Sequence, residues 1–122
     1  MLSIERLPKH ATAIMSMAPY RPAEPSLHEI MQLTAEACDV PMNEFLSHRR
    51  AVKAGRARQI YYGLARELTS KSFPQIAYYC GNRDHSTAVY GARQVVDRPK
   101  NFEPELSMLR SKILSRMTGR HA

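Results

Sequence analysis

The 122-residue chain reads as an all-α protein of about six helices with a central helix-turn-helix. Three observations point there. Apolar residues recur at spacings of three and four in successive segments. No segment alternates with period two for long enough to make a strand. Proline, glycine and capping residues punctuate the chain at helix-length intervals.

Residues 1–26 carry Pro8, Pro19, Pro22 and Pro25 and no sustained helical stripe, and are expected to form a flexible tail. The mildly apolar stretch Ala11 to Ala18 is short for a signal sequence, and Glu5 sits where a basic flank would be required. A first helix is predicted after Ser26, where Ser26 and Glu29 match a capping box. Its inward positions are Leu27, Ile30, Met31, Thr34 and Ala37, and Pro41 forces it to stop near Cys38. A short second helix, Pro41 to Ser47, turns Phe45 and Leu46 inward.

The basic stretch from His48 to Gly55 has no apolar period and reads as a loop. The third helix is expected over Arg56 to Thr69, burying Ile60, Leu64 and Leu68 with Ala57, Tyr61 and Ala65 beside them. Gly63 inside it costs about 1 kcal/mol relative to alanine, which a close neighbouring backbone would explain. Ser72 caps a fourth helix with Pro74 in its first turn and Ile76, Ala77 and Tyr79 as apolar positions. A turn over Gly81 to Arg83 leads to a fifth helix, Asp84 to Asp97, with a core stripe of Ala88, Val89, Ala92, Val95 and Val96. Pro99 follows, and a sixth helix from Glu103 to Met117 aligns Leu106, Leu109, Ile113 and Met117. Residues 27–117 form the expected domain, and residues 118–122 a frayed end.

Charge narrows the function. Eighteen basic residues face eleven acidic ones, a net charge of +7. Residues 45–100 hold eleven of the cations and three acids, so the whole excess lies mid-chain. Leu46 to Arg66 carries six cations and no carboxylate, which excludes local salt bridges and suits an external anion. Nucleic-acid phosphate fits best. A membrane surface fits less well, since Ala51, Val52, Ala54 and Ala57 are the only apolar residues between Ser47 and Arg58. No run of about 18 apolar residues offers a membrane span. Two cysteines 42 positions apart exclude a disulfide-dense scaffold and a CxxC zinc knuckle. None of the five glycines precedes a lysine, so a Walker A loop is absent from these residues.

Two short helices about a glycine turn are the helix-turn-helix pattern, which projects the N-terminal residues of its second helix into the major groove. Here those residues are Asp84, His85, Ser86 and Thr87, all short and able to hydrogen-bond base edges. The same residues also suit a plain N-cap and an ordinary first turn. Catalysis by Asp84, His85 and Ser86 is disfavoured, because helical neighbours point in different directions. His10, His28, His48, His85 and His121 lack metal-ligand spacing. No enzyme activity, cofactor or metal is expected.

The string GNRDHSTAVYGARQV, Gly81 to Val95, resembles the signature of the C-terminal DNA-binding domain of the bacterial replication initiator DnaA, close to GGRDHTTVLHACRKI. Upstream, SHRRAVKAGRARQIYYGLARELTSKSFPQI resembles that family's basic loop, long helix and first helix of the motif. The likeness extends over about residues 27–116. It implies a Trp-repressor-like fold that binds double-stranded DNA at A·T-rich DnaA boxes. By this resemblance Arg50 enters the minor groove. Arg58 and Gln59 contact the backbone, Arg66 and Thr69 lie near phosphates, and Phe73 and Pro74 touch sugar-phosphate or a thymine methyl. Asp84, His85, Ser86 and Thr87 read the major groove. Arg49, Lys53, Lys71 and Tyr90 complete the phosphate and sugar contacts. Ser86 stands where threonine is usual, Tyr90 where histidine is, Phe73 where leucine is, and Val52 removes one cation from the loop.

The expected activity is sequence-specific duplex binding in transcription regulation or modulation of replication initiation, in the bacterial cytoplasm at the nucleoid. The proline-bearing N-terminal residues do not resemble the lid of the family's ATPase module, which favours a stand-alone relative. No membrane or nucleotide partner is expected. Weak self-association, or a replication or transcription protein as partner, stays open. The alternative is a protein–protein adaptor with only non-specific DNA affinity.

Overall fold

The computed structural model describes residues 24–121, with side chains described up to residue 118. The expected tail therefore lies outside the described residues except for its last three positions. Among the described residues there are six α-helices, one 3-10 turn and no strand.

Helix α1 (Leu27–Ala37) starts as expected at Ser26, whose hydroxyl accepts the Glu29 backbone N–H at 3.0 Å. The Glu29 carboxylate accepts from Arg116 at 3.3 Å. Leu27, Ile30, Met31 and Thr34 are buried, and so are Leu33 and Ala35, because α1 packs against both α3 and the last helix. Ala37 is exposed, in contrast to the expectation, and borders a shallow groove with Leu33 and Met108. Helix α2 (Met42–Phe45) is a single turn that sets Phe45 edge-on to Tyr61, centroids 5.9 Å apart.

Helix α3 (Val52–Leu68) is the axis of the fold. It begins four residues before the expected Arg56. The buried face of its first turns is only Ala54 and Ala57, too small to register as an apolar period. Gly55 stands inside the helix, and a Cβ there would meet nothing within 4 Å. Ile60, Tyr61 and Leu64 are fully buried, whereas Leu68 is only partly covered. Burial pushes the Tyr61 and Tyr62 hydroxyls far above their ordinary range. The Tyr61 hydroxyl donates to the Ile76 carbonyl at 2.8 Å.

Helix α4 (Phe73–Tyr79) has the full capping box, Ser72 and Gln75 satisfying each other's backbone N–H, with Pro74 in the first turn. Ile76 and Ala77 go inward. Tyr79 does not: it is 56 % exposed and packs edge-on to Tyr78, because so short a helix offers the core one narrow face. The turn that follows needs its glycine. Gly81 has φ +78°, and a Cβ there would lie 2.2 Å from the Leu46 carbonyl oxygen. The Arg83 N–H closes the turn onto Ala77 O at 2.9 Å.

Helix α5 (His85–Asp97) crosses α3 closely. Gly63 does not meet the neighbouring backbone that the sequence suggested; its close neighbour is the Val95 side chain, 2.9 Å from an added Cβ. Gly91 is the matching notch on α5, against the Tyr62 ring. Ala88, Ala92 and Val95 are buried and Val89 partly so, whereas Val96, expected in the same stripe, is 76 % exposed. A 3-10 turn, Pro99–Phe102, absent from the sequence reading, buries Phe102. Helix α6 (Glu105–His121) begins two residues later than expected, runs past Met117, and buries Leu106, Leu109 and Ile113. Arg110 grips Glu67 through two hydrogen bonds of 2.9 and 3.0 Å, tying α6 to α3.

Candidate nucleic-acid interface

A glycine turn and an N-cap aim the start of α5 outward. Asp84 is the N-cap residue, and its carboxylate makes no capping bond. It accepts instead from the Ser86 hydroxyl, and lies 3.8 Å from His85 Nδ1. Asp84, His85, Ser86 and Thr87 are all exposed. Tyr90, one turn further along, is exposed as well.

The basic loop stands beside them. A groove of about 600 Å³ is walled on one side by His48, Arg49, Arg50, Ala51 and Val52, and on the other by Asn82, Arg83, Asp84 and Thr87, with Gly55 and Arg58 between. Residues 34 positions apart in sequence, Arg50 and Asp84, thus line one concavity. The Arg49 and Arg50 side chains are exposed and have no partner among the described residues.

Three cations of the run have partners within the fold, and two of them, Arg58 and Lys53, were expected on the DNA backbone. Arg58, expected on the DNA backbone, is 7 % exposed. Its guanidinium donates to the carbonyls of Phe45 and Glu44 at 2.8 Å and of Ser47 at 3.0 Å, with Arg49 O at 3.5 Å. Burial and the neighbouring Arg83 charge lower its pKa, though a guanidinium stays protonated. Arg58 therefore holds the basic loop rather than reaching out of it. Arg56 pairs with Glu105 at 2.9 Å, and Lys53 faces Asp39 at 3.5 Å. The run without carboxylates finds its carboxylates elsewhere, Glu105 on the last helix and Asp39 in the turn after α1, which a local sequence window does not contain.

The other expected contacts gather at a second place, the corner between α3 and α4. Arg66 is exposed, sits 5.4 Å over the Phe73 ring, and donates to Lys71 O at 3.3 Å. Lys71 and Phe73 are half-buried and Pro74 is exposed. Thr69, expected near phosphates, belongs to the same corner. It is 8 % exposed, and its hydroxyl donates to Ala65 O at 2.6 Å and accepts the Lys71 N–H at 3.1 Å. It shapes the corner and presents no free hydroxyl. Gln59 is half-buried at the α3–α5 crossing, its Cγ 3.2 Å from where a Gly91 Cβ would be.

Sequence reasoning missed Arg83 as more than a turn residue. Its guanidinium donates to the carbonyls of Cys80 and Ser47, joining the turn to the foot of the basic loop. The signal available was an arginine directly before the reading residues, without an acidic partner nearby other than Asp84. Among the described residues no three His, Cys, Asp or Glu gather in metal-binding geometry, and no helix is long and apolar enough to cross a membrane.

The family profile described as the bacterial dnaA protein helix-turn-helix matches residues 27–95. Similar relatives include chromosomal replication initiator proteins DnaA. That of Acinetobacter baumannii is 39% identical over 71 residues, covering 58% of this chain and 15% of the relative. That of Gluconobacter oxydans is 33% identical over 88 residues, covering 70% and 18%. That of Acinetobacter baylyi is 39% identical over 70 residues, covering 57% and 15%. The chain thus spans less than a fifth of the length of these relatives. With more than half of its residues matched, and with the glycine turn and outward-facing helix start in place, this chain belongs to the bacterial DnaA helix-turn-helix family.

Proposed function

We propose that this protein binds double-stranded DNA in a sequence-specific manner at DnaA-box-like sites. Helix α5 enters the major groove by its N-terminus, so that Asp84, His85, Ser86 and Thr87 meet base edges. Thr87 offers a methyl group to thymine, Asp84 accepts from a cytosine amino group, and His85 donates or accepts by tautomer. Arg50 reaches the adjacent minor groove from the loop. Arg49, Arg66 and Lys71 neutralise phosphates, while Phe73, Pro74 and Tyr90 lie along sugar and backbone.

One observation carries this reading: the exposed Arg49–Arg50 loop and the Asp84–Thr87 helix start flank one groove. A reader and a backbone clamp must lie side by side to engage neighbouring grooves of one duplex. The role that follows is occupancy of such sites in the cytoplasm, in transcription regulation or modulation of replication initiation, with no nucleotide hydrolysis. Electrophoretic mobility against box and scrambled duplexes tests it. Preference for the box at physiological salt supports the reading, and equal affinity for both overturns it.

A further inference from the structure

Both ends of the short basic loop are fixed. At its exit, Ala51 O accepts the Gly55 N–H at 2.8 Å as α3 begins. At its entrance, the Ser47 carbonyl accepts from two guanidinia, Arg58 at 3.0 Å and Arg83. Arg83 also donates to Cys80 O, so one planar side chain spans from the glycine turn to the loop. Arg58 ties the loop to α3 and α2, and among the described residues Arg83 alone ties it to the reading turn by a side-chain hydrogen bond. Two cations on one oxygen repel each other, and the Arg58 pKa is lowered partly for that reason. Arg58 already gives the Ser47 carbonyl one hydrogen bond, so the bond from Arg83 is a second one on the same oxygen.

We propose that Arg83 is a positioning residue that sets where the Arg49–Arg50 loop stands relative to the Asp84–Thr87 helix start, so that minor-groove discrimination by Arg50 depends on a side chain outside the duplex. This rests on the reading given under the proposed function. The Asp84–Thr87 readers follow Arg83 in the chain, yet their placement comes from the Gly81 turn and the Arg83 backbone N–H bond to Ala77 O. Removing the guanidinium therefore loosens the loop and leaves the helix start in place.

The experiment measures affinity for box duplexes in which each A·T pair is replaced in turn by G·C or by inosine·C. Inosine·C lacks the guanine amino group, so it presents an A·T-like minor groove and a G·C-like major groove. Positions where inosine·C binds like A·T are those read by the loop. Wild type is expected to disfavour G·C there by about tenfold. Arg83→Met should lose that discrimination and keep discrimination at the major-groove positions. Combined with Arg50→Ala it should cost nothing further, since both variants remove one effect.

Retained minor-groove discrimination in Arg83→Met, a uniform loss at all positions, or additive losses in the double variant would overturn the proposal. Thermal melting checks the fold. If the methionine variant does not fold, Arg83→Lys replaces it: one ammonium cannot span both carbonyls, so partial loss at loop positions is expected, and full retention overturns the idea. A wild type that binds box and scrambled duplexes equally fails the functional reading itself, a separate result.

Discussion

Gly91 on α5 faces the Tyr62 ring on α3 so closely that a Cβ would lie 2.5 Å from the ring edge. The Tyr62 ring is buried and packs against Tyr61, centroids 5.6 Å apart, so it has little room to move aside. Gly91→Ala should therefore destabilise the fold by about 1–3 kcal/mol through overpacking. Gly55 is the contrast: it is helical with open space around its Cα, and Gly55→Ala should stabilise by about 0.5–1 kcal/mol. Thermal denaturation of the two variants, moving in opposite directions, checks both.

Arg58 divides stability from binding. Its removal strands the Phe45 carbonyl and takes one partner each from those of Glu44 and Ser47, and Arg58→Met should cost about 1–3 kcal/mol of stability. It should not change how affinity depends on salt. About six neutralised phosphates, as the sequence suggests, give a slope of log K against log salt near −5, whereas about four free cations give roughly −4. Binding titrations across salt concentrations in wild type and variant decide whether Arg58 counts among the phosphate ligands.

Base readers and phosphate ligands should separate by mutation. Thr87→Ala and His85→Ala should each cost about 1–3 kcal/mol on the preferred duplex and relax preference at one or two positions. Arg66→Ala should weaken every duplex alike and make the salt slope shallower by about one. A selection of bound duplexes from a random pool, repeated with each variant, reads this out.

Acid should loosen the contact between α3 and α6. The hydrogen bond from Arg56 holds the Glu105 carboxyl below its ordinary range. A carboxylate with a depressed folded-state pKa stabilises above its unfolded value, about 4.3, and that share is lost as pH falls through the folded value. Arg56→Gln should remove this share, so the wild-type melting temperature should exceed the variant's at pH 7 and approach it by about pH 3. Parallel melting curves of the two proteins across that range check the sign.

Much of the fold was legible because its signals are local. The Ser72 cap, Pro74, the Gly81 turn and the Ile60–Leu64 period each act within one helical turn, and each appears where expected. The start of α3 was not legible, because alanines carry its buried face. Val96 and Tyr79 were placed inside because they are apolar and in register, but Tyr79 lies on a helix of only seven residues, and Val96 follows Val95, which already takes the contact with Gly63 on α3. For the candidate site, the start of α5 and Arg49 and Arg50 are exposed, whereas Arg58 and Thr69, also expected on DNA, are buried.

The residues alone decided the all-helical class, the helix-turn-helix and the family, because helix periods, caps and a signature string are properties of neighbours along the chain. The packed chain decided which cations remain free. Arg56 meets Glu105 across 49 positions and Arg83 meets Ser47 across 36, and a partner that distant becomes a partner only when helices bring the two side chains within hydrogen-bond reach.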